Sequence, residues 1–255
     1  MFIRAYSWFQ KYVRGRVQTR ITNTNHDMIN KALEVLESGG IIGFPTDTVY
    51  GIGCDAYNQD AIERIYKLKN RPLNKPLTLF IRDKSELEKY AYIPAIGEAR
   101  LGEKLIEEFW PGELTIIFSA KPNCPTLQPL DHFNPSTLEP LTVAIRIPNY
   151  EPILTILKKY KNPLATTSAN LSNSLPPITH ISLQIKPNLI IPGTSKSGIP
   201  STIINLSTPS PRGKPPRGEP FRGEPLRGEP PTIIRKGKIK IPNNFLKPLT
   251  CRIFE

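Results

Sequence analysis

Apolar positions follow two alternating periods along most of this chain. Between residues 25 and 38, Ile29, Leu33 and Leu36 recur at helical spacing and predict a helix. The apolar run at 41–44 comes directly after it and predicts a short buried strand. A helix followed by a strand is therefore the first unit of the predicted fold.

The same alternation continues as far as residue 206. Asn58 can cap a second helix, which ends near Lys69 because Pro72 disfavours helical geometry in the residue before it. The later predicted elements are a strand at 77–81, a helix around 98–109 and strands in the runs WPGELTIIF, TVAIRI, LATTSAN and STIINL. Helices that alternate with strands predict an α/β layered domain, and the sequence leaves the strand order open.

The net charge of +12 is unevenly distributed along the chain. Residues 21–211 hold 18 Lys and Arg against 18 Asp and Glu, and the excess of cations lies in 1–20, 212–230 and 231–255. The central part is thus not a basic nucleic-acid surface by composition. Any electrostatic attraction to RNA or to anionic lipid belongs to the appendages.

Residues 1–23 form a basic N-terminal extension that contains aromatic residues and no acid. This composition fits an organellar transit peptide or an amphipathic surface segment, but the extension lacks the apolar core of a secretory signal. The alternative, which we favour, is an unstructured extension or a stretch upstream of a later natural start.

A proline-rich repeat interrupts the domain predicted over 24–240. The motif R-G-x-P recurs every five residues from 212 to 230, and Pro and Gly exclude both a helix and a central strand there. We interpret 209–230 as an inserted flexible surface loop that the fold tolerates, and an RNA-touching segment is the alternative. Residues 241–255 form a short basic tail.

The three cysteines, Cys54, Cys124 and Cys251, are far apart and form no C-x-x-C pair. This favours a reducing compartment and argues against a disulfide framework or a structural zinc site. No apolar run approaches the roughly 18 to 20 residues that a membrane span needs. The cytoplasm is the expected location, with an organelle as the alternative if residues 1–20 act as a transit peptide.

Hydroxyl, amide and cationic side chains gather at the predicted strand ends, without a histidine base or a cysteine nucleophile nearby. Ligands of open α/β sheets commonly bind beyond strand ends, and this donor set suits phosphate oxygens. The segment GTSKSG lacks the order of a P-loop. The set comprises Thr46, Thr48, Lys69, Arg71, Lys75, Thr142, Arg146, Ser168, Asn170, Ser201, Thr202 and Arg235.

Several of these residues also have a purely structural interpretation. Lys69 and Arg71 at a helix C-terminus are favourable against the helix dipole alone. Ser168 and Asn170 can bond the local backbone of a turn. Arg146 differs, because an arginine inside an apolar strand needs an anionic partner, and there we favour function.

The motifs become specific when they are taken in order. FPTDTVYGIGCDA, KNRPLNKPL, WPGELT, TVAIRIP, TSANLS, PSTIINL and IIRKGKI together closely resemble the threonylcarbamoyl-adenylate synthase family, or YrdC-like domain, over about 24–208 and 231–239. The resemblance implies a single YrdC-like α/β domain of the α+β type, an open twisted mixed sheet flanked by helices, with a large concave cavity.

The resemblance also implies a reaction. Members of the family make threonylcarbamoyl-AMP and pyrophosphate from L-threonine, bicarbonate or CO2, and ATP, a nucleotidyltransferase activity. Other proteins then transfer the threonylcarbamoyl group to N6 of adenosine 37 in tRNAs that read ANN codons. Mg2+ is expected on the ATP phosphates, without a dedicated protein metal site.

By the same resemblance, the site residues divide into two groups, and none acts as a covalent catalyst. The residues implied to contact threonine or its carbamate are Thr46, Thr48, Tyr50, Arg146, Thr166 and Ser201. The residues implied to contact nucleotide or phosphate are Lys69, Arg71, Lys75, Thr142, Ser168, Asn170, Thr202 and Arg235.

Three features depart from the family pattern. Asn205 stands where the family usually has aspartate, and Asn173 replaces a glycine common after SANxS. The repeat adds about twenty residues between Ser201 and Arg235, so Arg235 reaches the site only if the ends of the insertion lie close together.

Two other functions share this type of domain. A non-catalytic module that binds double-stranded RNA or tRNA is the main alternative, and weak RNA binding by the basic appendages is compatible with either function. Hydrogenase-maturation carbamoyltransferases are the other, but they carry zinc-finger cysteines that this sequence lacks.

Overall fold

The computed structural model describes the central domain and not the appendages. The basic extension, the repeat and the tail from residue 243 onward therefore lie outside the described residues. The described residues are 26–93, 99–125, 127, 142–207 and 231–242.

Helices and strands alternate much as the apolar pattern predicts. The helices of the described ranges are α1 (26–37), α2 (Gln59–Lys69), α3 (Leu87–Tyr90), α4 (Ala99–Phe109) and α5 (Glu151–Tyr160). The strands there are β1 (Ile42–Phe44), β2 (Gly51–Asp55), β3 (Thr78–Phe80), β4 (Ala91–Tyr92), β5 (Leu114–Ala120), β6 (Thr142–Arg146), β7 (Leu164–Ser168), β8 (Leu189–Ile190), β9 (Thr202–Asn205) and β10 (Thr232–Arg235).

Helix α2 shows how local chemistry sets the boundaries of an element. The side chain of Asn58 caps the helix by accepting a hydrogen bond from the Ala61 amide at 2.9 Å, as predicted. Asn70 ends it in the left-handed conformation with φ 50°, just before Arg71 and Pro72. This ending fixes where Lys69 and Arg71 leave the helix.

The sequence pattern did not indicate six of the elements in the described ranges, which are β2, α3, β4, α5, β8 and β10. Strand β2 is rich in glycine, so its apolar alternation is weak. Helix α5 carries Pro152 in its first turn, which is a helix-start signal that could have revealed it.

The strands form one mixed sheet in the order β10-β9-β5-β6-β3-β7-β2-β1-β8, with β4 added beside β5. The pairs β1·β8, β3·β6 and β5·β9 are parallel and the other pairs are antiparallel. An open mixed sheet flanked by helices confirms the predicted fold class.

The repeat is inserted between two strands that pair with each other. Strands β9 and β10 are antiparallel, and Thr232 lies opposite Asn205. Residues Asn205 and Thr232, which flank the insertion, are therefore adjacent in the sheet. This satisfies the condition under which Arg235 reaches the site.

Each face of the sheet has its own hydrophobic cluster. Helices α2 and α4 pack on one face, through residues such as Ile65 and Leu105. Helices α1 and α5 pack on the other face, where Leu36 and Ile156 meet Phe44.

A strip of the second face carries polar residues beside this second cluster. Thr78 pairs with both Ala144 and Thr166, so these three side chains share the face. Arg146 follows Ala144 by two residues and lies on the same face. The candidate site is built on this strip.

Candidate active site

The loop between β1 and β2 carries a chain of hydroxyl hydrogen bonds. The Thr46 hydroxyl donates to the Val49 carbonyl at 2.7 Å and lies 2.9 Å from the Thr48 hydroxyl. The Thr46 Oγ1 also accepts a hydrogen bond from the Thr48 amide at 3.0 Å. All three of these residues are buried, so the loop has a fixed conformation.

Arg146 joins this loop to the sheet through its guanidinium. It donates to the Thr48 hydroxyl at 2.9 Å, to the Gly112 carbonyl at 2.9 Å and to the Asp47 carboxylate at 2.6 Å. Arg146 and Asp47 are each 4% exposed. Burial lowers the pKa of the guanidinium, and Asp47 opposes that shift. The anionic partner predicted for Arg146 is thus Asp47.

The segment 191–198 supports the same loop from the side. The amides of Lys196, Ser197 and Gly198 donate in order to the carbonyls of residues 46, 47 and 48. Tyr50 donates its hydroxyl to the Ile191 carbonyl, and burial raises the pKa of that phenol. Tyr50 therefore holds the loop in place through its hydroxyl.

Lys69 is enclosed at the end of α2, with 1% of its surface exposed. Its ammonium donates to the carbonyls of Ser168 and Asn170. Burial, followed by repulsion from Arg71, lowers its pKa to about 8. Lys69 thus positions the turn after β7, and one of its three N–H groups is not used in these two bonds.

Two backbone carbonyls fix the orientation of the Arg71 guanidinium. Its Nε donates to the Lys75 carbonyl at 2.8 Å and one terminal nitrogen to the Pro76 carbonyl at 2.8 Å. The other terminal nitrogen makes only a 3.5 Å contact to the Thr167 hydroxyl. That nitrogen is the part of Arg71 best placed to bind an anion.

Ser201 and Arg235 form the third corner of the cluster. Arg235 donates to the Ser201 carbonyl at 2.9 Å and to its hydroxyl at 3.0 Å, and the Ser201 hydroxyl lies 2.8 Å from that of Thr115. Burial lowers the pKa of Arg235, and repulsion from Arg146 and then Arg71 lowers it further. Arg235 thus lies within electrostatic range of two other arginines, Arg146 and Arg71.

The structure does not bring every predicted residue into this cluster. Thr202 shares its face with Leu114 of the large core, and its hydroxyl bonds the Ile239 carbonyl at 3.0 Å. Thr142 is exposed at the opposite end of β6 from Arg146. Thr166 lies on the polar face, but its hydroxyl donates to the Thr78 carbonyl at 2.9 Å.

The remaining predicted residues lie around Arg71 and Lys69. Lys75 is exposed, and its carbonyl accepts from Arg71. Ser168 donates to the Asn170 side chain, whose amide bonds the carbonyls of Leu171 and Ser174. The Asn170 amide thus bonds the local backbone, as the structural interpretation expects, whereas the Ser168 hydroxyl bonds the Asn170 side chain.

Three buried polar residues of the site were missed by the sequence pattern. Asp47, Thr115 and Ser195 contact Arg146, Ser201 and Thr46, respectively. For Asp47 a signal was available, because the acid lies inside the motif PTDT.

The family departures at Asn173 and Asn205 are accommodated locally. Asn173 adopts φ 69°, the left-handed conformation that its glycine counterpart would favour. The Asn205 side chain accepts from the Ser207 amide and hydroxyl at the far end of β9 from Ser201. The missing charge therefore does not lie at the arginine cluster.

Gly237 allows the segment after β10 to approach Ser201 closely. A Cβ at this position would lie 2.4 Å from the Pro200 carbonyl oxygen and 2.5 Å from the Thr202 nitrogen. We expect Gly237→Ala to lower the free energy of unfolding by about 1 to 3 kcal/mol and to weaken the binding of a phosphate-bearing ligand, because Arg235 shifts with the segment. Denaturant unfolding and calorimetry would measure the two effects.

Gly102→Ala is a matched control for Gly237→Ala. A Cβ at Gly102 would meet Leu206 at an ordinary 3.6 Å, and glycine in a helix interior is destabilising by about 0.5 to 1 kcal/mol. We expect this substitution to raise stability. Equal changes in the free energy of unfolding for Gly102→Ala and Gly237→Ala would contradict the close approach described at Gly237.

The described residues contain no group of three or more His, Cys, Asp or Glu that could hold a metal ion. The side chains of the cluster are mainly cationic, and its carboxylate at Asp47 is paired with Arg146. The described residues of the cluster therefore do not form a carboxylate site of the kind that holds Mg2+. Burial raises the pKa of Cys54 to about 12, so this thiol is not an activated nucleophile.

The large concave cavity implied by the resemblance is not shown within the described ranges. A cavity of about 400 Å3 lies beside the turn after β7, lined by Asn170, Ile178, Ser182 and neighbouring residues. Among the helices of the described residues, none has the length and apolar composition that crossing a bilayer requires.

Comparison with known proteins agrees with these motifs. The family model Sua5_yciO_yrdC, described as "Telomere recombination", matches residues 34–214. The chain belongs to this family. The "Putative threonylcarbamoyl-AMP synthase" of Methanocaldococcus jannaschii is 38% identical over 196 residues, which are 73% of this chain and 86% of that protein.

Longer members of the Sua5_yciO_yrdC family resemble the chain over part of their length. The threonylcarbamoyl-AMP synthase of Bacillus subtilis is 34% identical over 74% of this chain and 53% of its own. The crystal structure of P. abyssi Sua5 complexed with L-threonine superposes with a TM-score of 0.63 at 29% identity, over 82% of this chain and 54% of that chain. The chain thus spans about half the length of these two relatives.

These relatives carry the name of an enzyme, which confirms the predicted enzyme class. Membership of the Sua5_yciO_yrdC family confirms the predicted family resemblance.

Proposed function

We propose that this protein is an L-threonylcarbamoyladenylate synthase, which makes threonylcarbamoyl-AMP and pyrophosphate from L-threonine, bicarbonate or CO2, and ATP. The observation that carries the proposal is the group of arginines at this site: Arg146 donates to Thr48 in the hydroxyl-lined loop 46–48, and Arg235, which is bonded to Ser201, lies within electrostatic range of Arg146 and Arg71. A cationic cluster of this kind suits a triphosphate, and the loop suits a small polar substrate.

The cluster supplies what the proposed reaction needs. The carbamate formed on the threonine nitrogen attacks the α-phosphorus of ATP through an oxygen, and pyrophosphate leaves in line with it. Positioning and electrostatic stabilisation provide most of the catalysis in phosphoryl chemistry of this type. Arg71 and Arg235 would stabilise the phosphates, and Mg2+ would accompany the nucleotide.

The product would serve tRNA modification. Other proteins would transfer its threonylcarbamoyl group to N6 of adenosine 37 in tRNAs that read ANN codons. The complex of P. abyssi Sua5 with L-threonine supports threonine as the amino acid. A methyl contact alone would separate threonine from serine by about 1 to 3 kcal/mol.

Pyrophosphate release tests the proposal directly. Purified protein would be assayed with MgATP and bicarbonate, with and without L-threonine, and with L-serine as the comparison. We expect release that requires both threonine and bicarbonate. Folded protein that binds ATP but shows no threonine-dependent release would contradict the proposal.

The pKa of Lys69 predicts a pH dependence of ATP binding. The ammonium is charged below about pH 8 and neutral above it, so a positive charge beside the phosphates is lost as pH rises. We expect ATP affinity, measured by calorimetry, to fall about 5- to 10-fold between pH 7 and pH 9.

Lys69→Met separates this titration from other effects. Methionine removes the charge at every pH, so affinity is lower throughout and no longer changes over this range. The same slope in wild type and Lys69→Met would show that another group titrates.

A further inference from the structure

One oxygen of the Asp47 carboxylate has no hydrogen-bond partner. Its Oδ1 binds Arg146, whereas Oδ2 is buried and contacts no donor in the described part of the chain. An unsatisfied buried carboxylate oxygen is costly unless a ligand satisfies it. The position of Asp47, between Thr46 and Thr48 in the site loop, makes a substrate group the natural partner.

The direction of the neighbouring hydrogen bonds defines what the loop can offer. Thr46 gives its single hydroxyl proton to the Val49 carbonyl, so Thr48 must be the donor in the 2.9 Å contact between the two hydroxyls. The Thr48 oxygen in turn accepts from Arg146. Neither hydroxyl has a proton left, and Thr46 Oγ1 already accepts two hydrogen bonds, so the acceptors that remain in this loop are the Thr48 oxygen and Asp47 Oδ2.

Arg146 supplies the complementary donors. A guanidinium has five N–H groups, and the contacts to Gly112, Thr48 and Asp47 use three of them. Two N–H groups of Arg146 therefore remain outside these three contacts, on the same guanidinium that binds Asp47. A cation and an anionic acceptor held side by side match the carboxylate and the ammonium of a zwitterionic α-amino acid.

We propose that Asp47 Oδ2 binds the α-ammonium group of the amino-acid substrate and thereby selects α-amino acids over hydroxy acids. This inference rests on the proposed function. The Asp47 carboxylate also suits the carbamate that later forms on this nitrogen, because the carbamate nitrogen retains one N–H that Oδ2 can accept. Asp47 is thus a specificity-determining residue as well as the partner of Arg146.

A substrate analogue separates these two roles of Asp47. (R)-3-Hydroxybutyrate keeps the carboxylate, hydroxyl and methyl of threonine and lacks its amino group. Calorimetry would compare the affinities of threonine and this analogue in wild type and in Asp47→Asn. We expect wild type to prefer threonine at least about 10-fold and Asp47→Asn to reduce the ratio to about one.

Glu113→Gln provides the matched control. Glu113 is a second carboxylate within electrostatic range of Arg146, but it pairs with Lys238 at 3.7 Å. We expect its removal to leave the threonine preference unchanged. An Asp47→Asn variant that weakens both ligands equally would overturn the inference alone and leave Asp47 with only its structural role. Wild-type protein that binds ATP but not threonine would overturn the proposed function as well.

Wild-type protein allows a second measurement should Asp47→Asn not fold. A carboxylate partner raises the pKa of a bound ammonium. Threonine binding near the pKa of the free amine should therefore take up protons, measured by calorimetry in buffers of different ionisation enthalpy. Proton release on binding would overturn the inference.

Discussion

Arg146→Ala is expected to lower the free energy of unfolding by about 3 to 5 kcal/mol and to abolish threonine binding. The substitution leaves Asp47 as a buried charge without its partner, and the cost of such a charge exceeds that of the lost hydrogen bonds. It also removes the donor to Thr48 and the link to the Gly112 carbonyl. Urea unfolding and threonine calorimetry would measure the two losses.

Two controls test the physical reason for this loss. Lys67→Ala breaks an exposed ion pair with Glu63, and we expect a change below about 0.5 kcal/mol. The double variant Arg146→Leu, Asp47→Leu removes both buried charges, so it should recover stability without recovering activity. If Arg146→Ala lowered the free energy of unfolding by less than about 1 kcal/mol, the ion pair between Arg146 and Asp47 would contribute little to stability.

Arg71→Ala is expected to reduce kcat/KM for threonine-dependent pyrophosphate release by about 100- to 1000-fold. In the proposed function Arg71 is a fixed donor to the transferring phosphates, and the loss of such a donor typically has an effect of this size. Arg71→Lys keeps a charge but not the fork held by the Lys75 and Pro76 carbonyls, so it should also lose activity. Steady-state kinetics and ATP calorimetry would measure the effect.

Arg64→Ala is the matched control for Arg71→Ala. Arg64 lies in α2 and donates to the Gly39 carbonyl, away from the cluster. We expect the activity of the Arg64→Ala variant to match that of the wild-type protein. RNA affinity should change little in Arg71→Ala, and the opposite result, with activity kept and RNA affinity lost, would favour an RNA-binding module.

Local signals were sufficient for most elements of the fold. The Asn58 cap and the Pro72 breaker place α2 to within a residue, because both act on the backbone next to them. Apolar runs of β-branched residues likewise predict β3 and β9 within one or two residues. Strand order was not predictable, since it depends on contacts between distant segments.

Contacts of high sequence separation account for what the pattern missed at the site. Arg146 was expected to need an anion, but its partner is 99 residues away and only the folded chain identifies it as Asp47. Ser201 and Thr202 show a second cause. The motif predicts both residues as ligands. Adjacent residues of an extended chain point to opposite sides, however, and only Ser201 contacts Arg235, whereas Thr202 bonds the Ile239 carbonyl.

The pairing of β9 with β10 makes the position of Arg235 independent of the length of the segment between these strands. Because Thr232 is fixed opposite Asn205, the sheet itself sets the position of Arg235 whatever the number of residues between the strands. Loop closure costs rise only slowly with length. This junction can thus accept added sequence at little cost, and a fluorescent or affinity module could be grafted between the two strands without displacing Arg235.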